Sequence, residues 1–119
     1  MKTVLILFAL SLPLLVAFPC LAQDQNDNTA LVLQEMCSRP YATVGNSYCV
    51  GFAHAAVSVL DGLHKVCEPD RVTAGEEAKV MAKYFNDHPE ALHEGDALAA
   101  ARAFIAAWPC KAEDAQGKR

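Results

Sequence analysis

The chain has 119 residues, 53% of them apolar, with ten Lys and Arg against fourteen Asp and Glu. An acidic balance argues against nucleic acid and anionic membrane surfaces as partners, since both call for basic patches, and the length suits one domain rather than several. The apolar fraction is inflated at one end, and that end is the first element.

Lys2 supplies a short positive start, and Val4 to Phe18 is an apolar run broken by Ser11 and Pro13. Cys20-Leu21-Ala22 then places small residues where a signal peptidase reads, ahead of polar Gln23-Asp24-Gln25-Asn26. Residues 1–22 therefore read as a Sec signal peptide cleaved near Ala22. A transmembrane anchor needs roughly 20 apolar residues, and this core is shorter and holds a proline. Phe18-Pro19 before Cys20 does not suit a lipid attachment site, so no membrane association is expected after cleavage. Cleavage leaves 97 residues, with nine Lys and Arg once Lys2 is gone against all fourteen acids, a net charge of −5. A domain of that size buries only about two-thirds of the surface its unfolded chain exposes, so covalent staples help it.

Cys20 leaves with the signal, and Cys37, Cys49, Cys67 and Cys110 remain. An even number in a short exported domain reads as a disulfide framework with three possible pairings. After the polar lead 23–29, Thr29 to Cys37 reads as a short helix capped by Asn28 or Thr29 and stopped by Pro40. Ser38 to Ser47 reads as a loop from its turn residues, bringing Cys49 back towards Cys37. Within it, Tyr41 to Val44 is the one segment able to pair briefly as a strand.

Ser47 to about Leu63 reads as the central helix, with Cys49, Phe52, Ala53, Ala56, Val57, Leu60 and Leu63 on one broad apolar face. Its small residues Gly51, Ala53, Ala55 and Ala56 let another helix come close, and Gly62 with His64-Lys65 suits its end. Pro69 follows, and then Thr73 and Glu76 stand at the spacing of a capping box, with Val72 placed as the start of a hydrophobic staple.

A third helix is expected from Ala74 to about Asn86, with Ala78, Met81, Tyr84 and Phe85 on one side and Glu76, Lys79 and Lys83 outward. Asn86 to Gly95 reads as a polar loop, with Ala91 and Leu92 tucking it down, and a fourth helix runs from Asp96 to Trp108. Its expected inner stripe is Leu98, Ala101, Ile105 and Trp108, with Phe104 beside it. If the third and fourth helices are antiparallel, Cys67 meets Cys110 and Cys37 takes Cys49. The fold class is thus all-α, a small four-helix bundle with room for an extra short helix, covering residues 30–110 and stapled by disulfides, with a polar tail at 111–119.

Chemistry is sparse. A hydrolase would need a cysteine nucleophile beside His54, His64, His88 or His93, but all four cysteines are better used as oxidised pairs. His64 with Cys67, or His88 with His93, falls short of a converging metal-ligand set. Glu76 with Glu77, and Asp87 with Glu90, read as solvated helix ends. No catalytic residue, metal or cofactor is expected, and the chain reads as a binding protein rather than an enzyme.

Four motifs, however, carry a likeness. Tyr48-Cys49-Val50-Gly51-Phe52, then Cys67-Glu68-Pro69-Asp70-Arg71-Val72-Thr73-Ala74-Gly75-Glu76, then Tyr84-Phe85-Asn86-Asp87-His88-Pro89-Glu90-Ala91-Leu92-His93, then Trp108-Pro109-Cys110, resemble the Rap/Tai family of type VI secretion immunity proteins. The likeness covers Leu31 to Cys110. Family members usually show an Arg-His pair and a proline where this chain has Leu92-His93 and Glu94-Gly95, which implies a looser start to the fourth helix.

The resemblance implies a periplasmic, often homodimeric helical protein that binds a secreted peptidoglycan amidase effector and plugs its groove sterically. By position, the contact candidates are Glu68, Asp70 and Arg71 before the third helix, and Asp87, His88, Glu90, His93 and Glu94 after it. The net acidity would steer a basic effector. The alternative, prompted by small size, four histidines and disulfides, is a periplasmic stress or acid-responsive chaperone-like protein with no effector partner.

Overall fold

A computed structural model describes residues 28–111. The expected signal peptide, most of the polar lead and the tail beyond Lys111 lie outside the described residues. The described chain forms α1 (Ala30–Ser38), α2 (Val44–Gly62), α3 (Ala74–Asp87), a 3-10 helix (Pro89–His93) and α4 (Asp96–Ala107).

Each boundary has a local cause. Arg39 ends α1 in extended geometry, as a residue before proline must. The segment Tyr41 to Val44 turns instead of pairing as a strand, and α2 begins three residues earlier than the sequence suggests. Thr43 is the reason: its hydroxyl accepts from Asn46 N at 3.2 Å and donates to Pro40 O at 2.7 Å, so it caps the helix. Gly45, read as a turn residue, lies inside the first turn of α2, where a Cβ would meet Arg39 Cγ at 2.9 Å.

Past the far end of α2, His64 adopts the left-handed conformation with φ 55°. Lys65 N bonds to Leu60 O and His64 N to Asp61 O, both at 2.9 Å, which is the paired closure of a Schellman motif. The left-handed position therefore falls to a histidine, two residues after Gly62, at a cost of about 1–2 kcal/mol.

α3 opens with the capping box in both directions, Thr73 N donating to Glu76 Oε2 at 2.8 Å and Glu76 N to Thr73 Oγ1 at 3.3 Å. The staple does not form as read, because the fourth helical position that Val72 would need to meet is Glu77. Pro89 stops α3 and starts the 3-10 helix, so the expected loop is ordered, with Ala91 buried beneath it.

Leu33 of α1, Cys49, Ala53 and Val57 of α2, Met81 and Phe85 of α3, and Ala99, Ala100, Ala103 and Phe104 of α4 form the core. Burying Leu33, Met81, Phe85 and Phe104 is worth about 1.5–3 kcal/mol each. α4 is rotated from its expected setting: Leu98 and Ile105 are exposed, and Ala99, Ala100 and Ala103 face inward. The reason is steric, since an alanine face lets α4 approach closely enough for Phe104 to fill the interior and stack on Trp108 at 5.6 Å.

Disulfides join Cys37 to Cys49 and Cys67 to Cys110, with Cα separations of 5.0 and 4.9 Å. Cys67 N also donates to Trp108 O at 3.0 Å, so the α2–α3 connector is tied to the end of α4 twice. The start of α4 has no side-chain cap on Gly95, but it is anchored by a bridge between Thr29 and Gly95, by Ala30 N to Glu94 O at 3.0 Å and by an Arg102–Glu94 ion pair.

Candidate functional site

The two segments singled out from sequence sit at opposite ends of α3, a helix about 20 Å long. They form two patches, not one pocket. At the first, Asp70 and Arg71 are exposed, and Arg71 is left-handed with φ 68°. Glu68 turns partly inward, and its Oε1 is out of contact with water and without a donor. Burial raises the Glu68 carboxyl from the ordinary value of 4.5, with the charge of Glu77 and a hydrogen bond to Glu77 adding to the effect; His54 opposes it and Asp61 reinforces it.

Glu77 is a correction to the sequence reading. It is 2% exposed, not a solvated helix end, and both its oxygens lie 3.1 Å from His54 Nδ1 on α2. The His54–Glu77 contact therefore ties α2 to α3, with the Glu68 carboxyl of the connector close enough to feel the charge of Glu77. The sequence signal was available: Glu77 is one residue before buried Ala78 and four before buried Met81, on the inner face of α3.

At the other end, Asp87 pairs with Lys83, and His88 lies 3.2 Å from Glu90 Oε1 with its ring against Tyr84 at 4.2 Å. A hydrogen bond from its own backbone N–H holds the Glu90 carboxyl below the ordinary value, with His88 helping. His93 is exposed, and Glu94 is held by Arg102. This patch is charged, ordered and outward, suited to contact but not to bond-making.

Sequence reasoning missed two apolar surfaces. One is a groove of about 660 Å³ between α1 and the start of α2, lined by Val32, Met36, Pro40, Val44 and Tyr48, among others. The second is the outer face of α2 and α4, where Phe52, Ala55, Val59, Ala97 and Ala101 line a shallow depression beside exposed Leu63, Leu98 and Ile105. Tyr48 and Phe52, with ring centroids 6.0 Å apart, join the two.

All four cysteines among the described residues are oxidised, and no group of three or more His, Cys, Asp or Glu among them is disposed to hold a metal. No helix among them is long and apolar enough to cross a membrane. What the arrangement offers is shape and charge on a covalently braced surface.

A family model described as Rap1a immunity proteins matches residues 29–110, a span that holds all four α-helices and both disulfides. Comparison with curated proteins and with solved structures gave no match.

Proposed function

The chain belongs to the Rap1a immunity proteins, and on that premise we propose that it is a periplasmic immunity protein that binds a type VI secretion peptidoglycan amidase and blocks it sterically. The observation that carries this reading is the family match across the whole bundle. The chemistry supports it. A cysteine-dependent amidase is silenced when its groove is filled, which asks the inhibitor for a stable surface and no reactive group.

The acidic patches at the ends of α3, Glu68 to Arg71 and Asp87 to Glu94, serve as the flanks of that surface, and the net charge of −5 after signal removal speeds encounter with a basic effector. Residues 1–22 direct the chain to a compartment where its disulfides form, and are then removed. We assign the outer α2–α4 face to a homodimer contact. Between Val44 and Gly62 the only Asp, Glu, Lys, Arg or His residues are His54 and Asp61; His54 bonds to α3 and Asp61 acts on Glu68, so neither charges the outer face of an otherwise acidic molecule.

The test is protection. Cells exporting this protein are expected to survive periplasmic delivery of the amidase effector encoded in the same secretion locus, while cells lacking it lyse. Equal lysis in the two strains would end the immunity reading.

A further inference from the structure

The segment that joins α2 to α3 runs from Leu63 to Thr73, and its two halves are held differently. In the first half Val66 is fully buried, and Cys67 is tied to the end of α4 by its disulfide and by the bond from its N–H to Trp108 O. In the second half Pro69, Asp70 and Arg71 are exposed. Arg71 is left-handed with φ 68°, a geometry that a non-glycine residue leaves unless its surroundings hold it. The polar group of this half that reaches inward is the Glu68 carboxyl, which meets the buried Glu77 of α3.

That meeting needs a proton. Two ionised carboxylates are both acceptors and cannot bond to each other. Glu77 is already committed as an acceptor, since both its oxygens lie 3.1 Å from His54 Nδ1, so the hydrogen between the two carboxyls belongs to Glu68. Glu68 Oε1 is sealed from water and has no donor. Ionisation in that position would leave a charge without a partner beside a second negative charge. The groups that face Glu68 are Glu77 from α3 and His54 and Asp61 from α2, and of these only His54 favours the ionised form. α4 meets the connector through Trp108 O and Cys110, neither of which is charged.

We propose that Glu68 is a proton-operated latch on the α2–α3 connector: protonated, it donates to Glu77 and seats residues 68–72 against α3, and on giving that proton to water it turns outward and frees them. Cys67 remains fixed in both states and acts as the hinge, while Arg71 relaxes from its left-handed geometry when the latch opens. The sign follows from the pair. The latch is shut in acid and opens as pH rises through the folded value of Glu68, which burial and Glu77 place above the ordinary 4.5. The inference stands whatever the protein binds. Since Glu68 to Arg71 is also one flank of the proposed contact surface, the latch sets how that flank is presented.

The test is a pH titration of the oxidised mature protein by nuclear magnetic resonance, following the Glu68 carboxyl carbon and the amides of Asp70, Arg71 and Val72. The carboxyl is expected to titrate above 4.5, and the three amides to shift with the same midpoint. In Glu68→Gln, whose amide donates to Glu77 at every pH, the three should lose that titration and keep the positions they hold in acid. At neutral pH trypsin should cut after Arg71 more slowly in Glu68→Gln than in the wild type, because cleavage follows the population of the open segment. Amides that stay still while Glu68 titrates, or that shift equally in Glu68→Gln, would overturn the latch, as would equal cleavage of the two proteins.

Discussion

Replacing Cys67 and Cys110 together by serine removes the staple that closes a sequence separation of 43 residues. In the chain-entropy treatment such a closure is worth about 4 kcal/mol, against about 3 kcal/mol for the shorter Cys37–Cys49 closure. A domain of this size has a net stability of only about 5–15 kcal/mol. For chains of roughly 60–100 residues each kcal/mol moves the thermal midpoint by about 4–8 °C, so the double variant should melt about 16–32 °C below the oxidised protein. The structure limits how much can be recovered: Cys67 N still has Trp108 O to bond, and Val66 is still buried, but the connector's covalent tie to the end of α4 is gone. Calorimetry or far-ultraviolet dichroism of the two mature proteins at pH 7 measures the difference. Protein kept in a reducing compartment should fall as far as a variant lacking both bridges. A loss below about 5 °C for the Cys67/Cys110 variant would refute the claim that this crosslink supplies a large share of stability.

The Glu68–Glu77 contact gives a pH signature. Because the Glu68 carboxyl is raised in the folded state, its stabilising contribution is complete below the ordinary value of 4.5 and is lost as pH rises through the folded value. Glu68→Gln, which keeps a donor for Glu77, should therefore raise the melting temperature at pH 7 and change little at pH 3.5; equal curves at both pH values would refute the pairing. Glu76 runs the other way. Bonds from the Thr73 backbone and hydroxyl lower its carboxyl, so its contribution is present above 4.5 and disappears as pH falls through the folded value. His64→Gly relieves a left-handed histidine at the end of α2 and is expected to stabilise by about 0.5–1 kcal/mol in urea unfolding, the strain relieved less the added freedom of the unfolded chain; destabilisation would mean that the ring has an unrecognised role. If the outer α2–α4 face joins two copies, Val59→Glu with Leu98→Glu should yield monomers in light scattering at unchanged helicity; persistence of the dimer would move the interface elsewhere.

The acid-responsive alternative draws opposite contributions from these carboxyls. Acid relieves the repulsion of Glu68 and Glu77 but removes the charge on the Glu76 cap, so the balance, measured by the same pH series, decides whether acid opens the bundle.

Local chemistry was readable along the chain. Thr73 with Glu76 fixed the start of α3, proline spacing fixed the ends of α1 and α3, and an even number of cysteines in a chain read as exported implied two crosslinks, because each of these signals acts over a few residues or through composition alone. Which face of a helix turns inward was another matter. α4 is apolar nearly all round, so its period could not choose between the Leu98–Ile105 side and the Ala99–Ala103 side; close approach by its neighbours chose the alanines and left the larger side chains in water. Likewise only packing brought His54, 23 residues away, onto Glu77 and turned an apparent helix-end acid into a buried one. Spacing records what neighbours in sequence do to each other, whereas exposure depends on what the rest of the bundle covers.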